Sequence, residues 1–196
     1  ADDIYLNSTS SYFFAGLRSL EDINDVADWH SSHVTTMQTM FRDDRSITSL
    51  EPLRNWDVSN VRSLGSDWSQ GAFSFMSSID DLSPLSNWDI SNVEDLGFTF
   101  CGISAPNLDA ISGWNTSNVK KMKYMFRNAT SFNQPLENWD TSKVINMTDM
   151  FNGAVNFNQP LDKWNTSNVT NMMGMFAGAV MFNQPLDKWD TSKVTN

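Results

Sequence analysis

The sequence predicts an α/β repeat solenoid, a stack of small coils with one short parallel strand and one short helix per coil. The first reason is a tryptophan that returns on a period. Trp114, Trp139, Trp164 and Trp189 stand 25 residues apart, and each begins a phrase of the form Trp-Asp/Asn-Thr-Ser-Asn/Lys-Val. Trp29, Trp56 and Trp88 mark three looser copies, at spacings of 27, 32 and 26. A fixed period of this length is the signature of tandem-repeat architecture, in which neighbouring units bury one another's apolar faces. The second reason is the order of residue types inside one copy.

In the copy from Gln159 to Asn183, Leu161, Trp164 and Thr166 fall at positions 1, 4 and 6. That is the L-x-x-L-x-L spacing of the short strand in a leucine-rich-repeat-like coil. Strand alternation would turn Trp164 and Thr166 inward and Asn165 outward. Ser167 suits a helix N-cap, its hydroxyl accepting an orphan backbone N–H. Val169, Met172, Phe176 and Ala179 then follow at helical spacing with one apolar face. Gly178 lies near the end of that face, and Phe182-Asn183-Gln184-Pro185 is a turn leading to the next strand at Leu186. None of these elements is stable alone at such lengths, so stacking must hold them.

Other rows agree. Leu53, Leu85, Ile111, Leu136, Leu161 and Leu186 stand three before each Trp, and Pro52, Pro84, Pro135, Pro160 and Pro185 precede five of them. A proline lacks an N–H and suits a strand's first position or a turn. Asn133, Asn158 and Asn183 form a row whose stacked amides would satisfy backbone groups of neighbouring turns.

The organisation that follows is a single stack over residues 14–196 with seven Trp-marked repeats, expected to continue beyond 196. Residues 1–13 match no repeat and are expected to cap or flank it, a common need of open stacks. The Trp56 copy is longer than the late repeats by seven residues, an excess placed near Gly65-Ser-Asp-Trp-Ser-Gln-Gly71. Trp68 in that loop is either a contact point or a lid folded over the core.

Composition narrows the function classes. A net charge of −10 disfavours nucleic acid and anionic lipid as partners. The lone Cys101 excludes an internal disulfide framework and, standing at an apolar repeat position, reads as a buried thiol. No apolar run approaches the ~18 residues of a membrane span.

Val144-Ile-Asn-Met147-Thr-Asp-Met150-Phe151 and its copies, running on through Phe-Asn-Gln-Pro-Leu-x-x-Trp-Asp-x-Ser, resemble the repeat of BspA-like leucine-rich surface proteins. That group overlaps a domain of unknown function in mycoplasma lipoproteins. The resemblance runs from Phe14 to Asn196. Before Trp114 it thins: Val61 and Val93 are followed by Leu64 and Leu96 where later copies have Met. It implies an extracellular or surface-exposed domain linked to adhesion or host contact, and it carries no catalytic residues.

The residues after the tryptophans, His30, Asp57, Asp89, Asn115, Asp140, Asn165 and Asp190, should form an exposed column. Such oxygens could hold Ca²⁺, but Asn interrupts the acids and no calcium-loop glycine pattern accompanies them. Local bonding of each Asx side chain to the following backbone is the expected use, and the same column, with Trp68, could meet a protein or glycan. The methionine rows read as core, and His30 and His33 lack companions for zinc. Sequons stand at Asn7, Asn115, Asn128, Asn146, Asn165 and Asn168; Asn7, Asn128, Asn146 and Asn168 are the candidate glycosylation sites if the source is eukaryotic and the protein secreted. No Ser-His or unequal acid pair stands out, so no catalytic residue and no obligatory cofactor are expected. The chain therefore reads as a non-enzymatic extracellular or surface module that recognises a protein or polysaccharide. The alternative is a structural protein whose coils join into filaments or a coat.

Overall fold

A computed structural model of the chain describes residues 3–68, 71–104 and 109–196. Successive coils do stack, but they are not built from strands and helices. Regular structure among the described residues is confined to four three-residue 3₁₀ turns, Asn24–Val26, Glu51–Leu53, Ser83–Leu85 and Asp109–Ile111, and to isolated parallel bridges. The expected leucine-rich-repeat solenoid, with a strand and a helix in every repeat, is therefore corrected to a stack of turn-linked coils.

The physical reason lies in where the backbone N–H groups go. In the expected strand, Trp164 N–H turns back to Leu161 O at 3.1 Å and Val169 N–H to Thr166 O at 2.9 Å. The three-residue spacing thus comes from tight corners rather than from extended chain. Burial still alternates as expected, with Trp164 and Thr166 inside and Asn165 outside. The expected helix fails differently. Met147, Asp149, Phe151 and Gly153 each donate their N–H to the next coil, at 2.7–2.9 Å. The residues between them, Met150, Asn152 and Ala154, close turns three residues back at 3.0–3.2 Å. An α-helix would need all these donors for itself. Residues in the left-handed region, Asp149 (φ 52°) and Gly153 (φ 72°), bend the chain between the donors. Ser167 accordingly caps no helix.

The continuous inter-coil seam runs through a polar row, from Thr36 onward two residues after each Val. Thr9, Thr36, Ser63, Asp95, Lys121, Asn146 and Asn171 are joined by successive parallel bridges. The first rung is supplied by the N-terminal flank, since Tyr5 also pairs with His30 and Leu6 N–H donates to His30 O at 2.9 Å.

Inside, two aromatic columns form the core. Phe14, Phe41, Phe73, Phe100, Phe126, Phe151 and Phe176 stack with ring centroids 5.2–5.9 Å apart. Beside them each ladder Trp passes its indole N–H back to the carbonyl of the Val, Leu or Ile row of the previous coil. These bonds run from Trp56 to Val26, Trp88 to Leu53, Trp114 to Leu85, Trp139 to Ile111, Trp164 to Leu136 and Trp189 to Leu161, all at 2.9–3.1 Å. A buried indole N–H without an acceptor would be costly, so this row fixes the register of coil on coil. Cys101 is buried, and burial pushes its thiol up to about 11.

The early coils are longer for two reasons. From Phe73 to Trp88 the chain takes 15 residues against 13 from Phe151 to Trp164, and the extra length is wound into the 3₁₀ turn Ser83–Leu85. Pro52 and Pro84 sit at the start of such turns, where a missing N–H costs nothing. The remaining five of the seven extra residues lie between Leu64 and Ala72, where Met37 to Met40 marks the equivalent short turn. Ala72 N–H donates to Leu64 O at 2.8 Å and closes the loop at its base.

Candidate functional site

The Asx column is exposed, and its side chains are engaged within their own coils. Asp57, Asp89, Asn115, Asp140, Asn165 and Asp190 each accept, at Oδ1, the N–H of the Ser two residues on, at 2.9–3.1 Å. These bonds hold Asp57, Asp89, Asp140 and Asp190 below the ordinary carboxylate range, the Ser contacts being the main cause. The column thus shapes the corner after each Trp and keeps one oxygen of each acid occupied. His30, at its head, stacks on Tyr5 with centroids 4.3 Å apart. Among the described residues no group of three or more His, Cys, Asp or Glu side chains is placed to hold a metal ion.

The sequons are placed unequally. Asn7 is exposed and its Oδ1 accepts Thr9 N–H at 3.0 Å. Asn128 is exposed at a left-handed backbone position. Asn146 is half-buried on the bridge row, with Oδ1 accepting Thr148 N–H at 2.9 Å. Asn168 is exposed, yet its Nδ2 donates to Ser142 O at 2.8 Å and its Oδ1 accepts from Lys193 at 2.7 Å. The Asn133–Asn158–Asn183 row works as a ladder: each Oδ1 accepts the next Asn's N–H at 2.9 Å, and Gln159 and Gln184 donate to the same residues.

Among the described residues, the loop that begins at Gly65 is the one large departure from the stack. Ser69 and Gln70, part of the expected insertion, lie outside the described residues. Trp68 does not fold over the core. It is 82% exposed, while the ladder tryptophans from Trp56 to Trp164 are 3–5% exposed. The loop is nevertheless held firmly at its ends. A Cβ on Gly65 would lie 1.7 Å from Gly97 O, and one on Gly71 would lie 1.9 Å from Phe98 O. Only glycine permits that approach of backbone to the next coil. Asp67, next to Trp68, is gripped by two lysines two coils away: Lys123 Nζ at 2.6 Å and Lys121 Nζ at 3.0 Å. Those hydrogen bonds keep the Asp67 carboxyl well below its usual range.

Next to the Lys121 that grips Asp67, the bridge row opens into a cleft of about 310 Å³, lined by Gln38, Arg62, Ser63, Glu94, Asp95, Lys120 and Lys121. Lys120 pairs with Glu94 at 2.7 Å. Burial, the largest influence on Asp95, raises its carboxyl, while Gly97 N–H and Lys121 pull the other way. Sequence reasoning found Trp68 but missed this cluster. The signal was present: three of the chain's 13 basic residues, Lys120, Lys121 and Lys123, fall within four positions of an acidic chain.

Coils of one design, joined by main-chain bridges and an indole ladder, define a tandem-repeat stack. Within that class the chain belongs to the family described as mycoplasma proteins of unknown function, DUF285, whose model matches twice, over residues 8–110 and 98–196. No curated protein and no solved structure matches the chain. No helix among the described residues is long and apolar enough to cross a membrane.

Proposed function

We propose that this chain is a non-enzymatic recognition module of the BspA-like kind, working outside the cell or on its surface, and that the Trp68 loop is its contact point. The observation that carries this reading is the exposure of Trp68 on a loop anchored at both ends. Burying a large indole against a partner returns substantial free energy, and a pinned loop loses little freedom when it does so. The uniform Asx column supports the absence of catalysis, because its acids share one environment and one task, whereas an acid–base pair needs unequal ones.

The test is a parallel screen of a peptide-display library and an oligosaccharide array against the wild-type protein and Trp68→Ala. Ligands held by the wild type and lost in the variant are the expected result. Ligands held equally by both would move recognition elsewhere on the stack.

A further inference from the structure

We infer that Trp68 and the neighbouring cleft, joined to its loop by the Asp67–Lys121 pair, form one binding site for a linear oligosaccharide bearing carboxylated sugars. This rests on the recognition reading above and names its ligand class.

A sugar chain presents two chemistries at once, an apolar C–H face and a rim of hydroxyls. The site has both counterparts. Trp68 offers an exposed ring plate, and no other large exposed apolar side chain belongs to the loop or the cleft. A protein partner of ordinary size covers about 800 Å² on each side around an apolar centre. A single indole set among ion pairs is a poor match for that and a good match for one stacked ring. The cleft supplies polar groups already fixed in place. Gln38 Nε2 donates to Ser63 Oγ at 3.1 Å, Lys120 is held by Glu94, and Lys121 by Asp67. Fixed donors lose little freedom on binding hydroxyls.

The ligand's length follows from the stack. Residues 38, 62–63, 94–95 and 120–121 belong to four successive coils. At about 4.8 Å per step the polar floor runs for roughly 14 Å, which suits an extended chain rather than a single ring. Its charge follows from Arg62. The Arg62 guanidinium is exposed at the cleft, and after the hydrogen bond from Lys120 its charge helps hold the neighbouring Glu94 carboxyl below its usual range. A planar fork of donors is matched by a carboxylate. Around the cleft four basic side chains, Arg62, Lys120, Lys121 and Lys123, stand against three acidic ones, Asp67, Glu94 and Asp95, on a chain whose overall charge is −10.

The experiment titrates the whole chain with oligogalacturonate and, separately, with cello-oligosaccharide of equal length. Tryptophan fluorescence and calorimetry are read for the wild type, Trp68→Ala and Arg62→Gln. Near-ultraviolet circular dichroism checks that both variants keep the native fold. The expected result is a blue shift with oligogalacturonate, reflecting cover of Trp68, and affinity at least tenfold weaker in each variant. Cello-oligosaccharide should bind at least tenfold more weakly than oligogalacturonate and be insensitive to Arg62→Gln. Equal binding of the two probes, or binding that survives Trp68→Ala, overturns the inference. If neither sugar binds at millimolar concentration while the peptide screen yields Trp68-dependent ligands, the sugar assignment falls and the recognition reading stands. If neither screen yields a Trp68-dependent ligand, both fall.

Discussion

The coils from Trp114 onward and those before it share one skeleton and differ in nearly everything hung upon it. The indole-to-carbonyl ladder and the bridge row run without a break through both halves. The late coils keep a 25-residue period and an Asn ladder, and their left-handed positions are shared between Gly153, Gly174 and Gly178 and the non-glycines Tyr124, Asn128 and Asp149. The early coils add 3₁₀ turns and a loop, and they force Thr39, Phe75 and Phe98 into the left-handed region. They also bury Asp44 completely, with Leu17 N–H on its Oδ1 at 2.7 Å and Oδ2 unpartnered. The contrast teaches that register here is set by main chain and indoles, so the remaining positions can vary or carry strain.

The largest effect should come from the shared skeleton. Trp139→Ala is expected to cost about 3–5 kcal/mol in denaturant titration, because it empties a core position and removes the indole bond to the Ile111 carbonyl, leaving it only the Trp114 N–H. Trp88→Ala should cost a similar amount. A much smaller loss at Trp88 would mean the early coils are held by something other than the ladder.

The left-handed positions should come next, with opposite signs for a glycine and a non-glycine occupant. Gly153→Ala must adopt φ 72° with its Cβ 2.4 Å from Asn128 Oδ1, and it should lose about 1–2 kcal/mol. Thr39→Gly should go the other way and gain about 1 kcal/mol. It relieves a β-branched residue at φ 64° and removes a buried hydroxyl without a partner. Destabilisation by Thr39→Gly would show that the early coils are not strained there.

Asp44 gives a pH signature confined to the early half. Burial raises its carboxyl from 3.8 to about 6, the N–H contacts opposing it. The folded state therefore binds the proton more tightly, and the stability this contributes is present below pH ~4 and lost as pH rises through about 6. In Asp44→Asn that loss should vanish, so the variant's melting temperature should rise relative to wild type between pH 4 and pH 7. A constant difference across that range would place the titration elsewhere. The smallest effect belongs to Trp68→Ala, expected to change stability by less than about 0.5 kcal/mol because the side chain touches little.

What could be read in advance divides along chemical lines. The period, the Trp and Phe columns and the outward Asx residues were legible because apolar side chains must repeat where a core repeats. The strand and helix were misread because corners closing three residues back give Leu161–Trp164 and Met147–Met150 the same spacing that those elements would. The bridge row was invisible. Thr36, Ser63, Asp95, Lys121 and Asn146 share nothing beyond polarity, since their pairing is made by backbone. The direction of Trp68 was undetermined too, because it depends on Gly65 and Gly71 meeting a neighbouring coil.

The two-way traffic between coils has a consequence for synthesis. Each Trp, and the residue before each bridge (Lys120, Ile145, Thr170), reaches back to the coil made before it, while the residue after the bridge and the turn residues beyond (Met147, Asp149, Phe151, Gly153) reach forward to carbonyls of the coil made after. A coil leaving the ribosome therefore finds the acceptor for its indole already in place. Its own forward donors wait for only about one more repeat of chain, at a synthesis rate of roughly 5–20 residues per second. Structure can grow in equal steps at the pace of translation, with no step depending on the far terminus. Whole coils can then be gained or lost by the gene with little disturbance to those already laid down.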